Sequence, residues 1–556
     1  MNTGDFESNL DAAGNFGKAQ WIIILLNFYI TSYVGWQAYI PVFATREVDF
    51  YCADNSNSSE ISQIDIDSNL STKRYLETSK NNGSDFDQTC VDHCSKYVYK
   101  SKPNSIVSDF DLACGSDKFL VAFSNSIYWI AYFIGCFVTG ALSDKLGRRN
   151  VASVLLIGLA VSTSGIFFTN NIYLYLFLRF VNGFCGLSGA IDYIILAESI
   201  DKKRLSKIGM TNQVIFVIGE LACILFGYLF QQNWHWQFFA MAVPCYLYIA
   251  LHIFFMPESA RWLHSQRKFR KAEAALKKIA QINRRDPSLI YIEDAADSLK
   301  HSSELLGDHT DTDSREMIVN TSSVGSQTES KPNLFDLFRT IPSARLTITG
   351  ALSWFACSLV YYGLTYDVQN IGGDFFLNNI LLSLTEVPAW GICIAMDKFG
   401  RLRTFYTSIF ICSIACAILP FTEPVLDGNL QIGFAVIGKF LAAGCFDMLY
   451  VYQSEQLPTV LRSTGLTFCS ASARVASIAA PFVIELKLGP YNSVPYLIFA
   501  VCGLIVSTCV FFVGVETRGK PFITTVEEYK ELARTKEVKL LDSDSYDHYF
   551  VGGQIS

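Results

Sequence analysis

An ionisable side chain inside an apolar run of membrane-spanning length is expensive, at about 2.5–3.5 kcal/mol near a helix centre. Each such residue is therefore a candidate for binding a ligand or handling an ion. Asp192 and Glu220 lie in apolar runs of the first half of this sequence, and Glu386, Lys439, Asp447 and Arg474 in runs of the second. Aromatic residues share their faces. Trp354 and Tyr361 are two helical turns apart on one stripe, with Tyr362 beside them. Glu386 stands one turn from Trp390, and Asp447 stands one turn from Tyr450 and next to Phe446. An aromatic cavity with acids suits an ammonium group, to which cation–π contact contributes on the order of 2 kcal/mol once desolvated. Arg474 adds a fixed cation able to hold a carboxylate in a bidentate pair. One cation with several acids fits a zwitterion, its carboxylate toward Arg474 and its amine toward the acids and rings. The competing assignments are that Arg474 pairs with Glu386 or Asp447 and touches no substrate, and that each aromatic faces lipid or packs in a core. Even then a net acidic cavity disfavours anions.

The elements that must position these residues are apolar helices. Hydrophobic residues make up 51% of the chain and charged residues only 17%, and charge is absent from long stretches. About 20 apolar residues cross the hydrocarbon core as a helix. Twelve stretches qualify: Trp21–Val42, Phe119–Leu142, Val151–Phe168, Ile172–Leu196, Met210–Phe230, Trp236–Met256, Leu346–Tyr366, Phe375–Met396, Phe405–Phe421, Leu430–Tyr452, Leu466–Leu488 and Pro495–Val515. The expected fold is an all-α membrane protein. The first stretch follows an acidic, glycine-containing head and is long enough to span, so it reads as a signal-anchor rather than a cleaved leader.

Basic residues set the orientation. Lys145, Arg148 and Arg149, then Lys202, Lys203, Arg204 and Lys207, then Lys398, Arg401 and Arg403, then Arg462 fall in short loops on one side; Lys487 alone falls in the short loops of the other. Both termini are then cytoplasmic. The loop 44–118 is extracellular, and its sequons at Asn57, Asn69 and Asn82 agree. It also holds Cys52, Cys90, Cys94 and Cys114, which allow three disulfide pairings. The net charge of −7 reflects acids in solvated loops and the tail, and no nucleic-acid surface is evident. Residues 1–20 form the cytoplasmic N-terminus, 21–256 one six-helix half, 257–343 a cytoplasmic loop, 344–515 the other half and 516–556 a cytoplasmic tail. Within the central loop, Arg267 to Asn283 has helical periodicity and His301 to Pro332 has the composition of a disordered segment.

The chain repeats itself. Asp144-Lys-Leu-Gly-Arg148 returns as Asp397-Lys-Phe-Gly-Arg401; the stretch from Glu198 to Arg204 returns from Glu455 to Arg462; Glu258-Ser-Ala-Arg261 is echoed by Glu516-Thr-Arg518. Each echo follows the equivalent helix, giving two pseudo-symmetric six-helix halves, a secondary-transporter plan. Asp144, Arg148, Arg149, Glu198, Glu258, Arg261, Asp397, Arg401, Glu455 and Arg462 are expected to gate, their charges pairing across the two halves in one state and separating in the other. Topology alone accounts for the Arg and Lys residues but not for the repeated acids.

Those motifs carry a family resemblance. GALSDKLGRR (Gly140–Arg149) resembles the loop motif of the major facilitator superfamily. MPESARWL (Met256–Leu263), with the large sequon-bearing first loop, is similar to solute carrier family 22, the organic cation, carnitine and organic anion transporters. NGFCGLSGAIDYIILAES, SWFACSLVYYGL, NIGGDFFLN and SEQLPTVLRSTG fit the same family. The resemblance implies alternating access about a central site, and uniport, exchange or ion coupling. It also implies that arginine at position 474 marks anion and carnitine branches, that Glu386 marks cation and carnitine branches, and that Asp447 departs from all of them.

Other classes fit worse. Gly514 to Pro521 nearly spells a phosphate-binding loop, but Pro521 stands where a Ser or Thr must hold magnesium. No catalytic constellation or metal-ligand spacing is evident, and His235, between two tryptophans, reads as interfacial. No cofactor is expected. Twelve spans with a repeat do not make a seven-helix receptor, and no pore-lining ring of a channel is seen. The expected function is plasma-membrane transport of amine-bearing cations or zwitterions. An organic anion exchanger is the alternative, and a receptor or channel the different-class one. The expected partners are that small organic ion, the bilayer, and either a coupling ion (sodium or proton) or an exchange substrate.

Overall fold

A computed structural model describes residues 6–14, 16–48, 50–52, 97–99, 105–114, 117–200, 202–231, 233–292, 334–421, 428–486, 494–520 and most of 523–534. Asn57, Asn69, Asn82, Cys90 and Cys94 lie outside the described residues.

Twelve long helices follow in order. The first half has α1 (Lys18–Tyr39), α2 (Lys118–Leu146), α3 (Arg148–Phe167), α4 (Ile172–Ser199), α5 (Lys202–Leu229) and α6 (Trp234–Phe255). The second has α7 (Ile341–Tyr366), α8 (Phe375–Phe399), α9 (Arg401–Ile418), α10 (Gly428–Gln456), α11 (Arg462–Ile484) and α12 (Val494–Val513). Eleven of these are long and apolar enough to cross a membrane. The other, α1, has 22 residues and buries Gln20, Asn27 and Gln37. Polar groups of α1 find partners inside the bundle: Gln37 donates to the Tyr33 hydroxyl at 3.0 Å, and Asn27 accepts from Asn212 at 3.0 Å.

Helix starts follow capping chemistry. The side chains of Asn171, Asn233 and Asp374 accept from backbone N–H groups two or three residues on, opening α4, α6 and α8. Several helices outrun the apolar stretches. The sequence ends α2 at Leu142 and starts α5 at Met210, whereas the helices reach Leu146 and Lys202. Hydropathy marks where hydrocarbon ends, but an intrahelical hydrogen-bond ladder continues in water until a residue interrupts it. In α1 the end comes earlier than Val42, because Pro41 opens a separate short turn, Pro41–Ala44. Two helices are broken: α4 between Cys185 and Ser188, and α8 at Thr385.

The repeat is visible in packing. In the first half α1 packs on α5, α2 on α4 and α3 on α6; in the second α7 packs on α11, α8 on α10 and α9 on α12. The halves meet through two equivalent contacts, α2 on α11 and α5 on α8. Helix Phe269–Ile282, close to the range expected from periodicity, buries Leu276 and Ile279 in a cluster with Phe6, Leu10 and Leu263. Asn283 then latches it to α1, accepting from the Ala19 N–H at 2.9 Å. At the other end of the bundle, strands Phe50–Cys52 and Tyr97–Tyr99 pair antiparallel, and Trp234 Nε1 donates to Asp109 at 2.6 Å. Cys114 is buried there and disulfide-bonded. Below, "basic end" means the end carrying Arg148 and Arg401, and "far end" its opposite.

Candidate functional site

Charged residues gather where α5 of the first half meets α7, α8 and α10 of the second. Glu386 opens the second segment of α8, just after the break at Thr385. The Tyr361 hydroxyl donates to its Oε1 at 2.6 Å, and Lys439 Nζ lies 3.0 Å from the same oxygen. Lys439 also donates to Thr365 Oγ1 and sits 3.4 Å above the Tyr361 ring. Tyr361 reaches across the halves as well, its hydroxyl 3.3 Å from Glu220 Oε1. Glu220 and Glu386 are each 1% exposed and Lys439 is 0% exposed. The sequence singled out Glu386 as an acid facing substrate, with Arg474 as its competing partner. The structure corrects both ideas: Lys439 neutralises Glu386, because both project into the same buried seam between α8 and α10.

Arg474 is elsewhere. Its guanidinium lies over the rings of Tyr132 (4.9 Å) and Trp129 (5.5 Å) on α2. Neither Arg474 nor Asp447 makes an ion pair or side-chain hydrogen bond among the described residues. Both face Tyr450, as does Tyr193 of α4. Tyr450 nevertheless stays 45% exposed, and Arg474 and Asp447 are each partly exposed. The remaining aromatics divide. Trp354 is fully buried, its ring meeting Tyr450 at 4.7 Å and Phe446 at 5.3 Å edge-on; it backs the wall rather than lining it. Tyr362 is buried against Trp129 at 4.7 Å, and Tyr361 against Phe446 at 6.2 Å. Trp390 is 40% exposed, one turn beyond buried Glu386, and the structure does not bring it to the cluster.

The charges at the basic end form two copies of one clasp. Gly147 and Gly400 end α2 and α8 with φ of 105° and 101°, a left-handed conformation that glycine adopts without strain. Arg148 pairs with Asp144 and, at 3.5 Å, with Glu198. Arg401 pairs with Asp397 at 3.2 Å and Glu455 at 2.5 Å. Glu258 accepts from the Arg149 N–H at 3.1 Å, and Glu516 from the Arg401 N–H at 2.9 Å, each at a helix N-terminus where a carboxylate is favoured. Pairing across the halves was expected of these residues; the pairs that Arg148 and Arg401 make lie within their own halves. Arg261 stands over the Phe6 ring at 5.7 Å, and Arg462 donates to Thr459 at 3.2 Å. Hydrogen bonds joining the halves run through the far side instead. Tyr39 donates to Asn379 at 2.8 Å, Ser126 to the Ile478 carbonyl at 2.7 Å, and Trp129 to Tyr366 at 3.0 Å.

Two buried groups escaped the sequence. Asp192 was noticed, but not its partners: Tyr248 donates to it at 2.6 Å and His252 Nε2 lies 3.1 Å away, with Ser153 3.2 Å from the other ring nitrogen. Arg179 is 1% exposed, 4.9 Å above the Tyr128 ring. A histidine and an arginine inside apolar runs were the available signal. Replacing His252 with alanine would strand a buried carboxylate, at a cost of about 3 kcal/mol. The expected result is a clear fall in the melting midpoint of the purified protein; an unchanged midpoint would show that the pair carries no stability. His235 Nε2 lies 3.0 Å from the Thr169 carbonyl.

Comparison with known proteins follows this geometry. A family model described as "Sugar (and other) transporter" matches residues 40–529. The rat protein "Solute carrier family 22 member 2" is 27% identical, covering 86% of this chain and 82% of its own. Mouse "Organic anion transporter 3" is 27% identical over 96% of each. Human "Organic cation/carnitine transporter 2" is 28% identical over 84% of this chain and 78% of its own. Among solved structures, the Escherichia coli xylose transporter XylE, in a partially occluded inward-open conformation, superposes with a TM-score of 0.60 at 16% identity, covering 90% of this chain and 99% of that one. That likeness is one of fold.

Proposed function

The chain belongs to the sugar (and other) transporter family, and from that premise we propose that it carries small amine-bearing organic ions, carnitine-like zwitterions above all, by alternating access across the plasma membrane. Transport rather than catalysis is the activity of this family and of the relatives, and the chain is a multi-pass secondary transporter. Both termini and the basic end are assigned to the cytoplasm, in keeping with the positive-inside rule.

One observation carries the substrate class. Arg474 and Asp447 are a base and an acid, each without an ion-pair partner among the described residues, and both lie within electrostatic reach of a half-exposed tyrosine. A ligand with a carboxylate and an amine supplies both missing partners at once. An organic anion would satisfy Arg474 alone and leave Asp447 beside the Glu220–Glu386 pair, where the acids outnumber Lys439. The relatives include organic anion and organic cation transporters, so the acids must decide. Radiotracer uptake in a heterologous cell, with tetraethylammonium, carnitine and para-aminohippurate side by side, tests this. Saturable uptake of carnitine or tetraethylammonium is expected. Preference for para-aminohippurate overturns the substrate class, and a conductance that does not saturate favours a channel.

A further inference from the structure

We propose that the Glu220–Tyr361–Glu386–Lys439 cluster is a proton-binding site, and that the chain exchanges a proton for the organic cation it carries. The inference rests on the amine-bearing substrate class proposed above.

Charge counting begins it. Two carboxylates and one ammonium share a seam where each side chain is at most 1% exposed. With all three ionised, one negative charge has no counter-charge, and burying a lone carboxylate carries a large desolvation penalty. The unmatched groups are identifiable. Glu220 Oε2 and Glu386 Oε2 are both buried without a hydrogen-bond partner, as is the nearby Ser383 Oγ. Glu386 holds the shorter bond from Tyr361 and the ammonium of Lys439, whereas Glu220 has the longer contact to Tyr361 and the Ser383 hydroxyl beside it, but no cation of its own. The proton therefore resides on Glu220 and the negative charge on Glu386.

Among the described residues the surroundings supply no other cation. Tyr39 from α1, Cys223 from α5 and Tyr366 from α7 face Glu220, and all are neutral. Asp447 from α10 faces Glu386 and adds a second acid on the cavity side. Arg474 forms no pair with either acid. A metal cation fits poorly, since the Lys439 ammonium already occupies the oxygen of Glu386 that faces the cluster. Among the described residues no group of three or more His, Cys, Asp or Glu could hold a metal ion.

The geometry also gives the proton a way out. Tyr361 touches both carboxylates through one oxygen. A concerted shift moves the Glu220 proton to that oxygen while the tyrosine proton passes to Glu386, and the phenol stays neutral throughout. Asp447, partly exposed and within electrostatic reach of Glu386, stands on the route outward. An ammonium arriving beside Asp447 supplies the missing positive charge, so proton and substrate compete for the same negative excess. Glu220 belongs to the first half and its three partners to the second, so separating the halves there opens the site.

Two measurements test this. Infrared spectroscopy on the purified, substrate-free full-length protein at neutral pH is expected to show a protonated-carboxyl band that Glu220→Gln removes. In proteoliposomes, acid inside is expected to accelerate tetraethylammonium uptake several-fold over symmetric pH. In Glu220→Gln the ratio of uptake with acid inside to uptake at symmetric pH should fall to unity, whatever its rate at symmetric pH. The proposal is overturned by an absent band, by a band that survives Glu220→Gln, by stimulation from acid outside instead, or by an undiminished gradient response in the variant. An absent band together with sodium-dependent uptake would assign the seam to a metal cation. Uptake of neither tetraethylammonium nor carnitine would overturn the substrate class, and the band, read without substrate, would still decide the proton.

Discussion

Replacing Arg474 with aspartate is expected to abolish carnitine uptake while sparing or raising uptake of tetraethylammonium. The guanidinium stands on Tyr132 and Trp129 with no carboxylate of its own, so its charge is available to a ligand. Charge-assisted hydrogen bonds contribute about 1.5–3 kcal/mol each, and a bidentate pair lost and turned into repulsion corresponds to roughly a hundredfold or more in affinity. A pure cation loses nothing and gains another acid. Paired kinetic measurements of the two tracers check this. Equal loss of both would mean that Arg474 is structural, its stacking on α2 serving to close the far side of the bundle.

The second large effect concerns Lys439. Lys439→Met removes the ammonium 3.0 Å from Glu386 and leaves two carboxylates in a seam with no positive charge. Breaking one side of a buried pair costs about 3–5 kcal/mol, enough to lower the melting midpoint and the amount of protein reaching the cell surface. Glu386→Gln should also destabilise, by stranding Lys439. The double variant Lys439→Met, Glu386→Gln should recover much of the loss, since it removes both charges together. If the double variant is no more stable than the worse single one, the two residues are not coupled.

These two residues also mark what the sequence could and could not convey. Apolar stretches and a basic-residue bias are local or additive properties, so spans and the two-half plan were legible residue by residue. The repeated Asp-Lys-x-Gly-Arg motif even located the paired turns at Gly147 and Gly400. Partnerships between helices were not legible. Stripe analysis relates residues three, four or seven apart on one helix, whereas Glu386 meets a lysine on another helix and Asp192 meets a histidine two helices on. Hence Glu386 looked free to face a ligand, with Arg474 as the competing partner, and Trp354 looked like cavity lining although it is fully buried. The partners of the clasp charges were not legible either, because a motif repeated in both halves is equally compatible with pairing within each half or between them.

That last difference has a consequence for turnover. Among the described residues the ion pairs of Arg148 and Arg401 stay within their own halves, so in the alternating-access cycle proposed above those pairs need not break as the halves rock. The contacts to be made and broken on the far side are neutral: Tyr39 with Asn379, Trp129 with Tyr366, Ser126 with the Ile478 carbonyl. Each contributes about 1 kcal/mol net, so the resting bias between the two facings is small and the binding energy of one modest ligand is enough to tip it. Being neutral, these far-side contacts give the ionic strength on either side of the membrane little hold on their breaking.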